Sequence, residues 1–359
     1  MNITALTSYN ASEVANLIKT IQGSSDNIFL SRSWFESWLN CISNQPECVI
    51  FKDADIVKGI AFIGNKKGFW GTTYFLNQQG LTENDQMWIE NNDILAEEDS
   101  LVECRQHFLA WLLQQSRFFK LTVSMSTSDA WYNEQLFQWS KIEEPVNFID
   151  LAKLRSESST HIQALSKNTR ASIRRALKYI EQKFGSITLI RHKENCAQIL
   201  QDKVAPMHIK QWQPKGIESG FTNPIFCKFH QSICSQTSDQ IKPEILEFRL
   251  DNAQYPILGY LYFLNSTTTC NFYLSAIDYF DSDNKFNPGL VMHNLAADYF
   301  LSQGYDKYDF LGGEARYKTS LSNASYKMYS VELVKNSLVN RMLYTANKIR
   351  HALIANIGK

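Results

Sequence analysis

The chain has no excess of charge of either sign. Lys and Arg number 36 and Asp and Glu number 36, so the net charge at neutral pH is zero. No global basic field draws this chain onto nucleic acid or an anionic bilayer, and any anion site must be local. No apolar run is long enough to span a bilayer. Met1 to Asn10 lacks the basic start and apolar core of a secretory leader, so a cytoplasmic protein is expected. The seven cysteines are an odd number with no close metal-ligand pair. Cys227 and Cys234 are too far apart for a CxxC motif, and His230 between them reads as a helix residue. Reduced thiols and no metal are expected. What the chain does have is 359 residues, 44% hydrophobic and 13% aromatic, enough for two domains with a core each.

Two segments share one layout. Pro46 to Asp53, a polar turn and Val57 to Ile63 read as a β-hairpin. Pro243 to Asp251, a turn and Ile257 to Phe263 read as another. Each is followed by a strand (Phe69 to Leu76; Thr268 to Ala276) and a helix (about Leu101 to Ser116; about Gly289 to Ser302). A further strand then follows in each, Lys120 to Ser124 and Lys307 to Leu311. Between the halves, Pro145 and Asn147 mark a boundary near Asp150. A helix from about Ser159 to Phe184 is stopped by Gly185, and another carries Glu194 to Gln211. Ser337 to Ile357 reads as a basic amphipathic helix packed on the C-terminal half, with membrane contact as the minor reading. The expected architecture is an α/β, mixed-sheet fold of two lobes, residues 1–150 and 151–359.

The halves differ where it matters. Asn287-Pro288-Gly289 opens the second helix, and free N–H groups at Gly289, Leu290 and Val291 make a site for a phosphate. The first half has Ala96-Glu97-Glu98-Asp99-Ser100 there, and three carboxylates would repel one, with Asp99 or Ser100 a plain helix cap. The first lobe is therefore expected to be structural and the second to carry the anion site.

Three segments carry a resemblance. They are Leu165 to Ala176, Met207 to Trp212, and the Pro288-Gly289 helix with Asp309-Phe310-Leu311-Gly312-Gly313-Glu314 and Tyr317-Lys318. In this order they resemble the GNAT N-acyltransferase superfamily, in its branch of tandem GNAT-like lobes. That branch includes cellulose-biosynthesis-associated acetyltransferase-like proteins and is related to the FemAB aminoacyltransferases. The likeness spans roughly Phe29 to Tyr329. It departs from the family in having Gly289 alone where a glycine-rich pyrophosphate loop is usual, and no helical hairpin insertion of the tRNA-using relatives is evident.

The resemblance implies transfer of an acyl group from acyl-CoA or acetyl-CoA to a small-molecule or sugar amine, without a metal. Asn287, Pro288, Gly289, Leu290 and Val291 would hold the carrier phosphates. Tyr273, Leu274 and Ser275 would pair with the carrier's amide arm. Glu314 or Asp309 would be the base, with Glu314 favoured for its loop position and Asp309 raised in pKa by apolar neighbours. His208 is a third candidate base, although a packed histidine is the plainer reading. Tyr317 could protonate the thiolate, and Trp212 and Lys318 would stand at the substrate. Lys167, Arg170, Arg174 and Lys178 form a basic helical stripe, either a solvated face or an anion clamp. Two alternatives stay open: a Fem-like transferase using aminoacyl-tRNA, the only reading with a nucleic-acid partner, and a non-catalytic binding protein on the same scaffold.

Overall fold

The computed structural model describes residues 1–21, 26–131, 133–236 and 240–346. The described residues of Met1–Gly23, Asn44–Glu143 and Met328–Lys359 form one compact unit, and those of Ser24–Ser43 and Glu144–Lys327 form another. The sequence boundary at 150/151 differs from this division. The chain leaves the first unit early, returns to it, and comes back a third time at its end.

The strands are β1 (Asn2–Leu6), β2 (Glu47–Asp53), β3 (Ile56–Gly68), β4 (Gly71–Leu76), β5 (Leu95–Ala96), β6 (Phe118–Ser126) and β7 (Leu136–Asp150). They continue with β8 (Ile187–His192), β9 (Lys242–Leu250), β10 (Ile257–Asn265), β11 (Thr269–Ile277), β12 (Lys307–Asp309) and β13 (Ala324–Lys335). In the first unit β1 to β4 are antiparallel neighbours in order. β4 then runs parallel to β6 through the helix Glu98–Gln114, and β6 pairs antiparallel with β13. The second unit repeats this strand for strand. β8 to β11 are antiparallel neighbours, β11 is parallel to β12 through the helix Pro288–Ser302, and β12 pairs antiparallel with β7. The final strands are exchanged. β7 follows β6 in the chain yet its end pairs with β12, and β13 follows β12 yet pairs with β6.

Several expected elements take another form. Pro145 lies inside β7 and ends nothing. The helix expected over Ser159 to Phe184 is broken into His161–Ala164 and Lys167–Phe184, because Ser166 adopts an extended conformation and its hydroxyl accepts from the Thr169 N–H at 3.2 Å. The helix expected over Glu194 to Gln211 contains a π-helical turn at Leu200–Val204 before Ala205–Trp212. The helix of the first unit starts at Glu98, so Glu97 is its cap position and Asp99 lies in its first turn. Only residues 338–346 of the C-terminal helix lie among those described. They pack within the first unit, where Tyr344 meets Phe137 and Trp139, and not on the second half.

The helix Pro288–Ser302 is apolar on most of its surface because it is enclosed. Val291, Met292, Ala296, Ala297 and Phe300 are all buried. Proline suits its first position, and Gly304, at φ +85°, ends it. Phe300 meets Phe263 at 4.7 Å between ring centroids and also packs against Tyr308, joining the helix to β10 and β12. Phe300→Ala is expected to cost about 3–5 kcal/mol by denaturant unfolding. A loss below about 1 kcal/mol would mean that this ring does not close the core.

Candidate functional site

The Pro288 helix points its N-terminus into a cleft of about 430 Å³ in the second unit. Three pieces of chain build the walls. The helix Lys167–Phe184 gives Asn168, Thr169, Ser172 and Arg175, the loop before Pro288 gives Asn284, Lys285 and Asn287, and the helix Arg316–Leu321 gives Arg316, Tyr317 and Ser320. Arg175, Lys285 and Arg316 supply three cations, and no acid lines the cleft. Among the described residues none of the three cations has a carboxylate partner within ion-pair distance. Hydroxyls, amides, unpaired cations and a helix N-terminus suit one kind of ligand, a phosphate-bearing one.

The loop before Pro288 is held by side chains rather than freed by glycines. Asp281 accepts from the Asp283 N–H at 3.0 Å, and Asp283 accepts from the Lys285 N–H at 2.8 Å. Asp281 also pairs with Lys183 at 2.7 Å and accepts from the Tyr179 hydroxyl at 2.9 Å, and these contacts lower its pKa to about 2. Phe286 is buried against Phe184 and Phe280. At Gly289 an added Cβ would make only ordinary contact, 3.5 Å from Ile277 and 3.8 Å from Tyr279, so the backbone there lies open. Asn287 accepts from the Leu290 N–H at 3.5 Å.

β11 and β12 pair only over Thr269–Asn271 and Lys307–Asp309, so Phe272 to Ile277 runs on past the end of its parallel neighbour. Tyr273, Leu274 and Ser275 lie in that stretch. Tyr273 turns its ring onto His230, 4.6 Å away, and Tyr262. The helix Ala205–Trp212 is fastened to the strand's end by Gln211, whose side-chain Oε1 accepts from the Ile277 N–H at 2.9 Å. It brings His208 and Trp212 with it. His208 is hydrogen-bonded to Ser219 at 2.8 Å, and burial lowers its pKa to about 4. The Trp212 ring lies under the Lys215 ammonium at 4.3 Å, and its buried indole N–H has no partner among the described residues.

At the end of β12, Asp309 is 2% exposed and accepts from the Leu311 N–H at 2.8 Å. Burial raises its pKa, opposed by the Lys307 ammonium 3.6 Å away and by the Leu311 N–H. Its cationic neighbour is Lys307. Glu314 is exposed on the loop that follows. Lys318 is buried, and its ammonium donates to the carbonyls of Leu311, at 3.2 Å, and Gly312. Tyr317 stacks on His293 with ring centroids 5.3 Å apart, and burial raises its pKa. His293 hydrogen-bonds the Tyr308 hydroxyl at 2.6 Å, and burial, then Lys318, lowers its pKa to about 3.

The structure therefore brings Asn287, Leu290 and Tyr317 together at the cleft. It sets Arg170 and Arg174 off it: Arg170 donates to the Gln163 carbonyl at 3.0 Å, and Arg174 is exposed. Arg175 reaches the cleft instead, because Ile173, Ala176, Ile180 and Phe184 are the residues this helix buries and they fix its rotation. Lys285 and Arg316 were not read as site residues. Their only sequence signal was a cation on each side of the Pro288 helix. Among the described residues no group of His, Cys, Asp and Glu converges as a metal would require.

Residues 167–319 match the family model described as an acetyltransferase (GNAT) domain. The matched segment contains every lining residue of the cleft but Ser320. A search of curated proteins finds no significant match to the chain. Among solved structures the fold is similar to FemX, with a TM-score of 0.58 at 9% identity over 96% of this chain and all of FemX. It is also similar to the C-terminal domain of a putative lysylphosphatidylglycerol synthetase from Agrobacterium fabrum, with a TM-score of 0.55 at 10% identity over 95% of this chain and 97% of that one. L-PGS from Bacillus licheniformis gives 0.53 at 12% identity over 97% of both chains. At such identities the likeness is one of fold. It extends over both units.

The buried histidines make a pH prediction. His208, His230 and His293 have pKa values of about 4, 3 and 3 when folded, each lowered chiefly by burial, against about 6.5 in an unfolded chain. The unfolded state then binds more protons than the folded state at pH values below about 6.5, so stability falls as pH drops from there toward 4. Melting temperatures measured between pH 7 and 5 should fall with acidification, and less steeply in His208→Gln. A flat profile would contradict neutral buried histidines.

Proposed function

We propose that this chain is an N-acyltransferase whose second lobe takes an acyl-CoA donor and passes the acyl group to an amine. The observation that carries the reading is the cleft: Arg175, Lys285 and Arg316, without a lining acid, around the N-terminus of the Pro288 helix. The carrier phosphates would lie against the N–H groups of Gly289 and Val291, with the helix dipole behind them, and would compete with the Asn287 side chain for the Leu290 N–H. The pantetheine arm would run along Tyr273, Leu274 and Ser275, where β11 has left β12. The amine attacks the thioester carbonyl, the tetrahedral intermediate collapses, and the thiolate leaves with a proton. Glu314 is the proposed base. Asp309 is tied to Leu311 and Lys307, which suits a positioning role. The Tyr317 phenol, kept protonated by burial, is the proposed acid at the thiolate. The first lobe has Glu97, Glu98 and Asp99 at the matching helix start, and would take no carrier.

The aminoacyl-tRNA reading is favoured by one observation, the FemX fold, and would place a tRNA end in the same cleft. Calorimetry separates the donors. CoA should bind the wild-type chain, and Gly289→Glu and Arg175→Glu should each weaken it at least tenfold in a folded protein. Wild-type affinity in both variants, or no CoA binding, would remove acyl-CoA as the donor.

With an acceptor in hand, Glu314→Gln should slow the maximal rate by about 10²–10⁴-fold at neutral pH, recover partly at higher pH, and melt like wild type. Asp309→Asn should lose stability as well as rate. Full activity in Glu314→Gln would move the base to Asp309 or His208.

A further inference from the structure

The first unit carries a surface that its fold does not explain. The β3–β4 hairpin ends in Lys66-Lys67-Gly68-Phe69-Trp70, with Phe69 89% and Trp70 59% exposed. Their rings rest on each other at 5.1 Å and have no other ring partner among the described residues. The turn after β13 begins a helix that exposes Leu338, Val339 and Met342 on one side, at 77%, 58% and 69%. Strand register puts the two features at the same end of one sheet. Gly68 faces Gly71 at the hairpin tip, Thr72 faces Phe118 at the start of β6, and Lys120 faces Val334 near the end of β13. Only β6 separates β4 from β13, so the two apolar groups arise roughly 10 Å apart.

Cations accompany them. Lys66, Lys67, Arg117, Lys335 and Arg341 are exposed at this end, and none has an ion pair among the described residues. Nearby acids are few: Glu332 is held by Lys120 and Ser140, and Glu134 stands beside Asn336. In a chain of zero net charge this is a local concentration of positive charge around exposed aromatic and aliphatic side chains. No helix among the described residues is long and apolar enough to cross a membrane. A tip of phenylalanine and tryptophan preceded by two lysines, next to the amphipathic start of a helix, has the chemistry of interfacial insertion. The rings enter the headgroup–acyl boundary and the lysines and arginines remain at the anionic surface.

We infer that this end of the first unit docks the protein onto an anionic lipid surface. A single feature of this size gives weak, reversible attachment, and two together give a usable one. Charge complementarity favours a bilayer over a second copy of the chain, because self-association would set these cations against themselves.

The test is flotation of the full chain with vesicles of equal parts phosphatidylglycerol and phosphatidylcholine, and with vesicles of phosphatidylcholine alone. Wild type should float with the first, far less with the second, and more weakly as salt rises. Phe69→Ser with Trp70→Ser should reduce binding at least tenfold, with the melting temperature unchanged because both side chains are exposed. Lys66→Gln and Lys67→Gln should each reduce binding about fivefold, the effect of roughly 1 kcal/mol per cation near an anionic surface. Leu338→Ser with Met342→Ser tests the second feature independently. Failure of wild type to float, or unchanged flotation in the tip variant, would overturn the inference. So would a concentration-dependent dimer that becomes monomeric in the tip variant, since the surface would then join two copies of the chain. None of these outcomes depends on the donor or the base, so the acyl-transfer reading stands or falls separately.

Discussion

A carboxylate ends a strand early, and the open edge of β11 depends on that ending. Asp309 accepts the N–H of Leu311 and turns the chain out of β12, with Leu311 in the left-handed region at φ +57°. A non-glycine residue there is under strain, and Lys318 holds the turn from the other side through the carbonyls of Leu311 and Gly312. Because β12 stops after three residues, β11 continues with only β10 beside it and its other edge unpaired by β12. A longer β12 would zip onto β11 and leave no backbone for a ligand's amide arm. The buried acid and the buried lysine thus act on one short piece of chain, and both have their main contacts inside the protein.

The helix that follows the open strand is positioned by a second set of polar contacts. His161, fully buried, hydrogen-bonds Asn294 at 3.1 Å and the Leu321 carbonyl at 2.7 Å. One side chain thereby joins the Pro288 helix to the short helix that carries Arg316 and Tyr317. Tyr317 stacked on His293 adds an aromatic contact between the same two helices. The cleft is a meeting of helix ends held by hydrogen bonds, so the spacing of its cations is set by the fold.

Much of this order was legible in the sequence, and the reason is periodicity. Alternating apolar residues in Pro243 to Phe263, the apolar run after Pro288 and glycine punctuation are local signals, and the strand–helix–strand order followed from them. Partner choice is not local. Nothing in Leu136–Asp150 or Ala324–Lys335 says which sheet each completes, so the exchange of β7 and β13 was invisible. Pro145 misled because proline usually marks an edge or an end. In the site, the Pro288 start was readable as a motif, whereas the helical stripe named Arg170 and Arg174 and the cleft is lined by Arg175. Both Arg174 and Arg175 belong to helical series, and only burial of Ile173 and Ala176 decides which of them faces the cleft.

The exchange of final strands also bears on how the two lobes can evolve. In a plain tandem repeat, one copy can be deleted, duplicated or moved to another gene, and each piece keeps a complete sheet. Here a cut between residues 150 and 151 leaves the first piece without β13 and takes β7 from the second. Neither product contains the strand that finishes its own sheet. The stretch of chain that builds the first lobe thus also supplies its neighbour's last strand. Separating the lobes at the obvious midpoint therefore exposes an unpaired sheet edge in each piece.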